Sequence, residues 1–232
     1  MPDVWRIPEL ATHIIGFLPD TDAKRVLQCC RRDFELAVGR AWETTETQDL
    51  HKLLKVLSIA TNKDHALERL RMYMRLIKTL DLYWETYQDE ADECIRLLHG
   101  WLLETVEFPL LPSLRSLQIS LASQERMEVA TMLIQPTLQS FTIDDQTIFC
   151  KLPWLAMGYP RGYPSELWES PSFKALNGRL AFTSNLTEFK CLEGYAYFDD
   201  DEMFHSTFAN LPSLTAIHFR ALLGRKTKLL PS

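Results

Sequence analysis

From about residue 76 onward, apolar residues recur in two alternating patterns. Short runs carry them at the first, fourth and sixth places: Ile77/Leu80/Leu82, Leu114/Leu117/Ile119, Leu138/Phe141/Ile143, Leu186/Phe189/Cys191 and Leu214/Ile217/Phe219. Side chains in a strand alternate between faces, so each run predicts a strand with one apolar side. The residues between the template positions, among them Gln118, Thr142, Lys190 and His218, then form a polar face of mixed charge. Longer runs have helical spacing. "DEADECIRLLHGWLL" aligns Ala91, Ile95, Leu98 and Leu102, and "SQERMEVATMLI" aligns Met127, Ala130, Thr131 and Ile134 behind the cap Ser123. A third helix is expected in "DDDEMFHSTFANL". Strands alternating with helices of this length predict an α/β layer.

The first 45 residues have a different texture. Pro8 suits a first helical turn and Pro19 ends that helix; a second helix carries Val26 and Leu27 behind Asp20 and Thr21, and a third carries Phe34 and Trp42. In the first helix, "IPELATHIIGFLP", the apolar residues cover an arc of roughly 160°, against the ~100° a one-sided surface helix needs. A unit this small cannot enclose so much apolar surface. The helix therefore packs on the chain that follows or is shared with a partner. "TQDLHKLLKVLSIA", with Leu50, Leu53, Leu54 and Leu57 on one stripe, predicts an amphipathic linking helix. The expected organisation is a helical unit at 1–45, linking helices at 46–75 and the α/β domain at 76–232.

The template starts at 114, 138, 186 and 214, a step of about 25 residues with one double step. "LPSL" occurs at 111–114 and again at 211–214, which reads as four units of about 25. Residues 150–171, rich in proline and aromatics, fill the place of one unit as a loop or a collapsed repeat. This pattern resembles the leucine-rich repeats. Their usual Asn or Cys, nine residues into the repeat, is replaced by Glu85, Ala122, Gln146, Gly194 and Leu222. The resemblance thus implies an irregular βα solenoid whose open sheet face binds a ligand, with Tyr83, Gln118, Thr142, Lys190, His218 and Arg220 as the substrate-contacting set.

Charge and chemistry narrow the function classes. The net charge is −6, which gives no global positive field to gather phosphates, so neither nucleic acid nor an anionic membrane is an expected partner. No apolar run reaches the roughly 18 residues of a membrane span. Asp3, Glu9, Pro8 and Pro19 are unsuited to a secretory signal, and five cysteines without framework spacing favour a reducing compartment, cytoplasmic or nuclear. There is no G-x-S-x-G elbow, phosphate-binding glycine loop or H-E-x-x-H helix, and no cofactor is expected. Cys29 and Cys30 read as buried small hydrophobes, and Asp199–Glu202 as helix-capping carboxylates. A hydrolase on the α/β part would require Asp81, Glu188 and His218 to converge.

The stretch "IPELATHIIGFLPDTDAKRVLQCCRRDFELAVGRAW" resembles an F-box. The apolar-Pro pair, acidic residue and Leu are Ile7, Pro8, Glu9 and Leu10. The apolar helix ending in Leu-Pro is Ile14, Ile15, Leu18 and Pro19, followed by a polar turn, the second helix with Val26 and Leu27, an arginine-aromatic stretch ending at Phe34, and Trp42. The usual central Trp is Phe34, and the usual Val-Cys pair is displaced around Cys29 and Cys30. An F-box followed by a leucine-rich-like solenoid is similar to the F-box proteins numerous in mushroom-forming fungi. The resemblance implies a non-catalytic substrate-recognition subunit of a Skp-cullin-F-box ubiquitin ligase. It would dock on a Skp-type adaptor, and through it a cullin, by Ile7, Pro8, Leu10, Ile14, Ile15, Leu18, Pro19, Val26, Leu27 and Phe34, and would hold an unknown substrate protein on the repeat domain. The alternative is a leucine-rich-like interaction scaffold unconnected with ubiquitination.

Overall fold

Each of the five template runs contributes a strand, and a sixth precedes them. The computed structural model describes residues 14–19, 22, 25, 37–83, 88–104, 110–121, 123–144, 171–192, 208–209 and 211–219. In chain order they form β1 (Thr44–Glu46), α1 (Thr47–Ser58), α2 (Lys63–Met74), β2 (Thr79–Leu82), α3 (Gln88–Glu104), β3 (Ser116–Ile119), α4 (Gln124–Leu133), β4 (Ser140–Asp144), α5 (Pro171–Leu180), β5 (Glu188–Leu192) and β6 (Ala216–Phe219). The fold is α/β. All six strands are parallel and lie in sequence order, each bonded to the next.

That order constrains where the helices sit. Right-handed crossovers that always step the same way along a sheet put every connection on the same face. The helices form such a layer: α3 packs between α1 and α4, α5 packs on α4, and α2 packs on α1. Strand residues facing the helices are apolar, Thr45 excepted, and buried, with Ile217 partly so. One row across the sheet is Thr45, Leu80, Leu117, Phe141, Phe189 and Ile217, and the next includes Leu82, Ile119 and Ile143. With the helices they make one hydrophobic cluster running from Leu50 to Leu211. At its centre the Phe189 ring lies 5.9 Å from Phe141 and 4.5 Å from Phe208.

The strand starts repeat a backbone device. The carbonyls of Glu43, Lys78, Arg115, Gln139 and Thr187 each accept two successive N–H groups from the following strand, at 2.7–3.1 Å. Four turns deliver the chain to β3–β6. In "LPSL", "QPTL", "TSNL" and the second "LPSL", the fourth residue's N–H bonds the first residue's carbonyl at 3.0, 3.0, 3.1 and 3.4 Å. Proline presets the backbone for such a turn, and Ser, Thr and Asn supply side-chain hydrogen bonds. Those side chains tie neighbouring turns: Thr137 Oγ1 donates to the Leu114 carbonyl at 2.9 Å, Asn185 Nδ2 to Pro136 at 2.8 Å, and Gln135 Nε2 to Leu111.

Three sequence expectations change here. The two "LPSL" turns are three strand steps apart, not four, because β4 pairs directly with β5 and no strand intervenes. Helix α5 lies within that long crossover, opened by Pro171 at its first position, where a missing N–H costs nothing. Residues 44–74, read as part of the N-terminal unit and the linking helices, supply the first strand and two helices of the same layer, with Leu50, Leu54, Leu57, Leu70 and Met74 in its core. The five positions standing in for the repeat Asn all fall outside the described residues.

At the N-terminal end, residues 14–16 and 37–41 are helical. Helix 14–16 ends ahead of Pro19, as the proline dictates. Ile15, Ala37 and Ala41 are buried yet lie outside the continuous cluster. Trp42 joins this end to α2 by packing on Tyr73, with ring centroids 4.7 Å apart. Among the described residues, no helix is long and apolar enough to cross a membrane.

Candidate protein-binding surfaces

All-parallel sheets are normally covered on both faces, and their strands are then apolar throughout. β2 and β3 instead alternate, with a polar, half-exposed second face. Register aligns this face into two rows. One contains Thr44, Thr79, Ser116, Ser140, Glu188 and Ala216; the other contains Glu46, Asp81, Gln118, Thr142, Lys190 and His218. Four of the six expected substrate contacts, Gln118, Thr142, Lys190 and His218, thus occupy adjacent strands of a single row. Thr142 is recessed, at 6% exposure, in register between Gln118 and Lys190. Tyr83 stands just beyond β2, where its N–H donates to Asp81 Oδ1 at 2.9 Å. Arg220 falls outside the described residues. Ser120, which continues the alternation one residue past the end of β3, is buried.

The two ends of this face differ in charge. At the β5–β6 end, Glu188 bonds Lys190 Nζ at 2.9 Å, accepts from Ser140 Oγ at 3.0 Å and lies 3.5 Å from His218 Nε2. The hydrogen bond from the Lys190 ammonium leads the effects that hold the Glu188 carboxyl below its ordinary range. At the β1–β2 end, Glu46 and Asp81 are paired in register. Burial pushes the Asp81 carboxyl above the ordinary aspartate value; the Tyr83 N–H opposes this and the like charge of Glu46 adds to it. A carboxyl that holds its proton more tightly when folded favours folding below the unfolded-chain pKa, and that contribution is lost as pH rises through the folded pKa. Asp81→Asn keeps an acceptor for Tyr83 and removes the charge. The variant is therefore expected to melt higher than the parent at pH 7, with a gain that shrinks as pH falls toward 4, near the ordinary aspartate pKa. Thermal melts at the two pH values check it; a lower melting temperature at pH 7 would remove the claim that Asp81 is held at a cost.

The second surface is the first helix. Ile15 is 1% exposed, whereas Ile14 is 37% and Phe17 77% exposed. Its apolar arc is therefore split: the Ile15 side faces inward and the Ile14–Phe17 side faces out. Leu18 is half-buried and Pro19 exposed. Of the remaining expected adaptor contacts, Ile7, Pro8, Leu10, Val26, Leu27 and Phe34 lie outside the described residues. Phe17 was missing from the expected contact set, although its position on the arc with Leu10 and Ile14 was readable. Glu46 was missed on the sheet face because β1 itself was.

Other features offer less chemistry. The triad a hydrolase would need is not assembled: Glu188 and His218 are adjacent, but Asp81 is four strands from His218, roughly 19 Å at ~4.8 Å per strand. A shallow cleft of about 200 Å³ between the ends of α1 and α3, floored by Leu57, Gly100 and Trp101, is smaller than the ~300–1,000 Å³ typical of small-molecule sites. The buried Cys94 thiol is pushed up to about 12 by burial, so it is expected to resist iodoacetamide at pH 8 until the chain unfolds, and alkylation mapped to Cys94 in the native protein would contradict its placement. Among the described residues, no group of three or more His, Cys, Asp or Glu side chains could hold a metal ion. Compared with known proteins, the chain matches no family model, no curated protein and no solved structure.

Proposed function

We propose that the chain is a non-catalytic substrate-recognition subunit of a Skp-cullin-F-box ubiquitin ligase, an F-box joined to an irregular leucine-rich-like solenoid. The observation that carries this reading is the division of the first helix. A helix serving only as a core element would turn its widest apolar side inward, yet Phe17 and Ile14 face out while Ile15 faces in. An exposed apolar stripe on a short helix suits a helix-in-groove contact. It lies in the segment whose motif order, Ile7-Pro8-Glu9-Leu10 through Leu18-Pro19 to Trp42, resembles the F-box. Sequential parallel strands with one open polar face support the second half of the reading, since they present a broad surface on which a substrate protein can rest.

In this role the chain supplies proximity and the other subunits supply the chemistry. A substrate held on the sheet reacts at the effective concentration set by the tether, without any catalytic group on this chain. Co-purification with a Skp-type adaptor, and its loss on Pro8→Ala plus Leu10→Asp, tests the assignment. Capture that survives the double variant contradicts the contact set, and an unaltered chain that captures no adaptor leaves the scaffold reading.

A further inference from the structure

We propose that the open sheet face takes an extended segment of a partner protein laid across the strands, its cationic end over β1–β2 and its anionic end over β5–β6. The inference rests on the reading that this face holds the substrate, and it names the chemistry that the substrate presents.

The ladder register carries the argument. Glu46, Asp81, Gln118, Thr142, Lys190 and His218 stand in one row across six strands. The row carries two carboxylates at one end, uncharged side chains in the middle, and Lys190 and His218 at the other. Among the described residues, the influences on Asp81 are its burial, the Tyr83 N–H and the repulsive Glu46 charge, and none of these is a cation. The repulsion between two neighbouring carboxylates is relieved by an incoming ammonium or guanidinium. At the far end, among the described residues, Lys190 and His218 both face the carboxylate of Glu188, at 2.9 and 3.5 Å, and an incoming anion would add to the acceptors of the Lys190 ammonium, which has three N–H donors.

Size and polarity point to a peptide segment. Five strand steps of about 4.8 Å span roughly 24 Å, the length of about seven residues of extended chain. The adjoining row of Thr44, Thr79, Ser116 and Ser140 places hydroxyls alongside, able to bond the backbone of such a segment. A uniformly anionic ligand is disfavoured by the β1–β2 end, and a uniformly cationic one by the β5–β6 end.

The test uses two end-blocked, fluorescently labelled heptapeptides of identical composition. One carries two arginines, three uncharged serines and two glutamates in that order; in the other, the charges alternate in sign along the chain. Anisotropy titrations against the full chain at low ionic strength are expected to show the segregated peptide binding about tenfold tighter, the sum of several individually weak exposed ion pairs. Glu46→Gln with Asp81→Asn, and separately Lys190→Gln with His218→Gln, are each expected to erase most of that preference. Having variants at opposite ends keeps the test valid if one pair fails to fold. Equal affinity for the two peptides, no binding by either at millimolar concentration, or a preference that survives both double variants would overturn the inference. Adaptor capture without peptide discrimination removes this inference alone. Discrimination without adaptor capture removes the ubiquitin-ligase reading and leaves the face as described.

Discussion

Phe189→Ala is expected to destabilise the protein by about 3–5 kcal/mol, the range for emptying a well-packed aromatic site. Phe189 is fully buried, on a strand flanked by β4 and β6, and its ring touches both Phe141 and Phe208. Removing it forfeits transfer free energy and leaves a cavity that helices cannot easily fill, since β4 and β5 are fixed by their ladder. A typical domain is stable by only about 5–15 kcal/mol, so the loss is a large fraction of the total. At about 2–4 °C per kcal/mol for a chain of this size, the melting temperature should fall by roughly 10 °C. Phe182→Ala provides the contrast, because that ring is 78% exposed and its removal should change stability by less than about 0.5 kcal/mol. Comparable shifts in the two variants would mean that the three tilted rings do not form the centre of the core.

Phe17→Asp is the second large effect, and it concerns binding instead of stability. The side chain is 77% exposed, so the variant should fold and melt like the parent. If Phe17 anchors the adaptor contact, truncation of such a residue costs about 2 kcal/mol or more, hence a loss of adaptor affinity of about 30-fold. Placing a carboxylate in an apolar groove adds desolvation to that loss. Ile15→Asp should behave differently: Ile15 is buried, so the substitution is expected to lower stability first and binding only as a consequence. Circular dichroism and thermal melts on the same samples separate the two. An unaltered affinity in folded Phe17→Asp would place the adaptor contact elsewhere.

The sheet was legible because the period-two pattern is strong wherever one face is buried. Leu117 and Ile119, or Phe141 and Ile143, can occupy only inward positions, and the polar residues between them must then face out. Strand β1 was not legible, since "TTE" carries no apolar residue. Its inward residue is Thr45, which satisfies its hydroxyl by donating to the Trp42 carbonyl at 3.0 Å. What places β1 is its partner strand, through the bonds from Lys78 and Thr79 to Glu43, and tertiary pairing of this kind leaves no local signature. Helix α5 was hidden by the proline-rich segment before it, although Pro171 is itself a start signal. The step between "LPSL" copies was misread for a simpler reason: equal spacing was assumed, whereas the crossovers that carry helices differ in length while the strands stay in register.

The polar row of the sheet divides similarly. Its membership followed from alternation, but its acidic end depended on β1 and on the pairing that sets Glu46 beside Asp81. In the first helix, sequence defined the apolar arc and left open which side faced inward. The burial of Ile15 and exposure of Phe17 resolve that point, because only a neighbouring element can decide which half of a wide stripe is covered.

The measurement that bears most directly on the central claim is a titration of the purified full chain with a purified Skp-type adaptor, followed by calorimetry. Stoichiometric one-to-one binding, weakened about 30-fold by Phe17→Asp with the fold intact, is the predicted result. The absence of any binding heat, with the chain folded and the adaptor active toward an established F-box protein, would contradict the account.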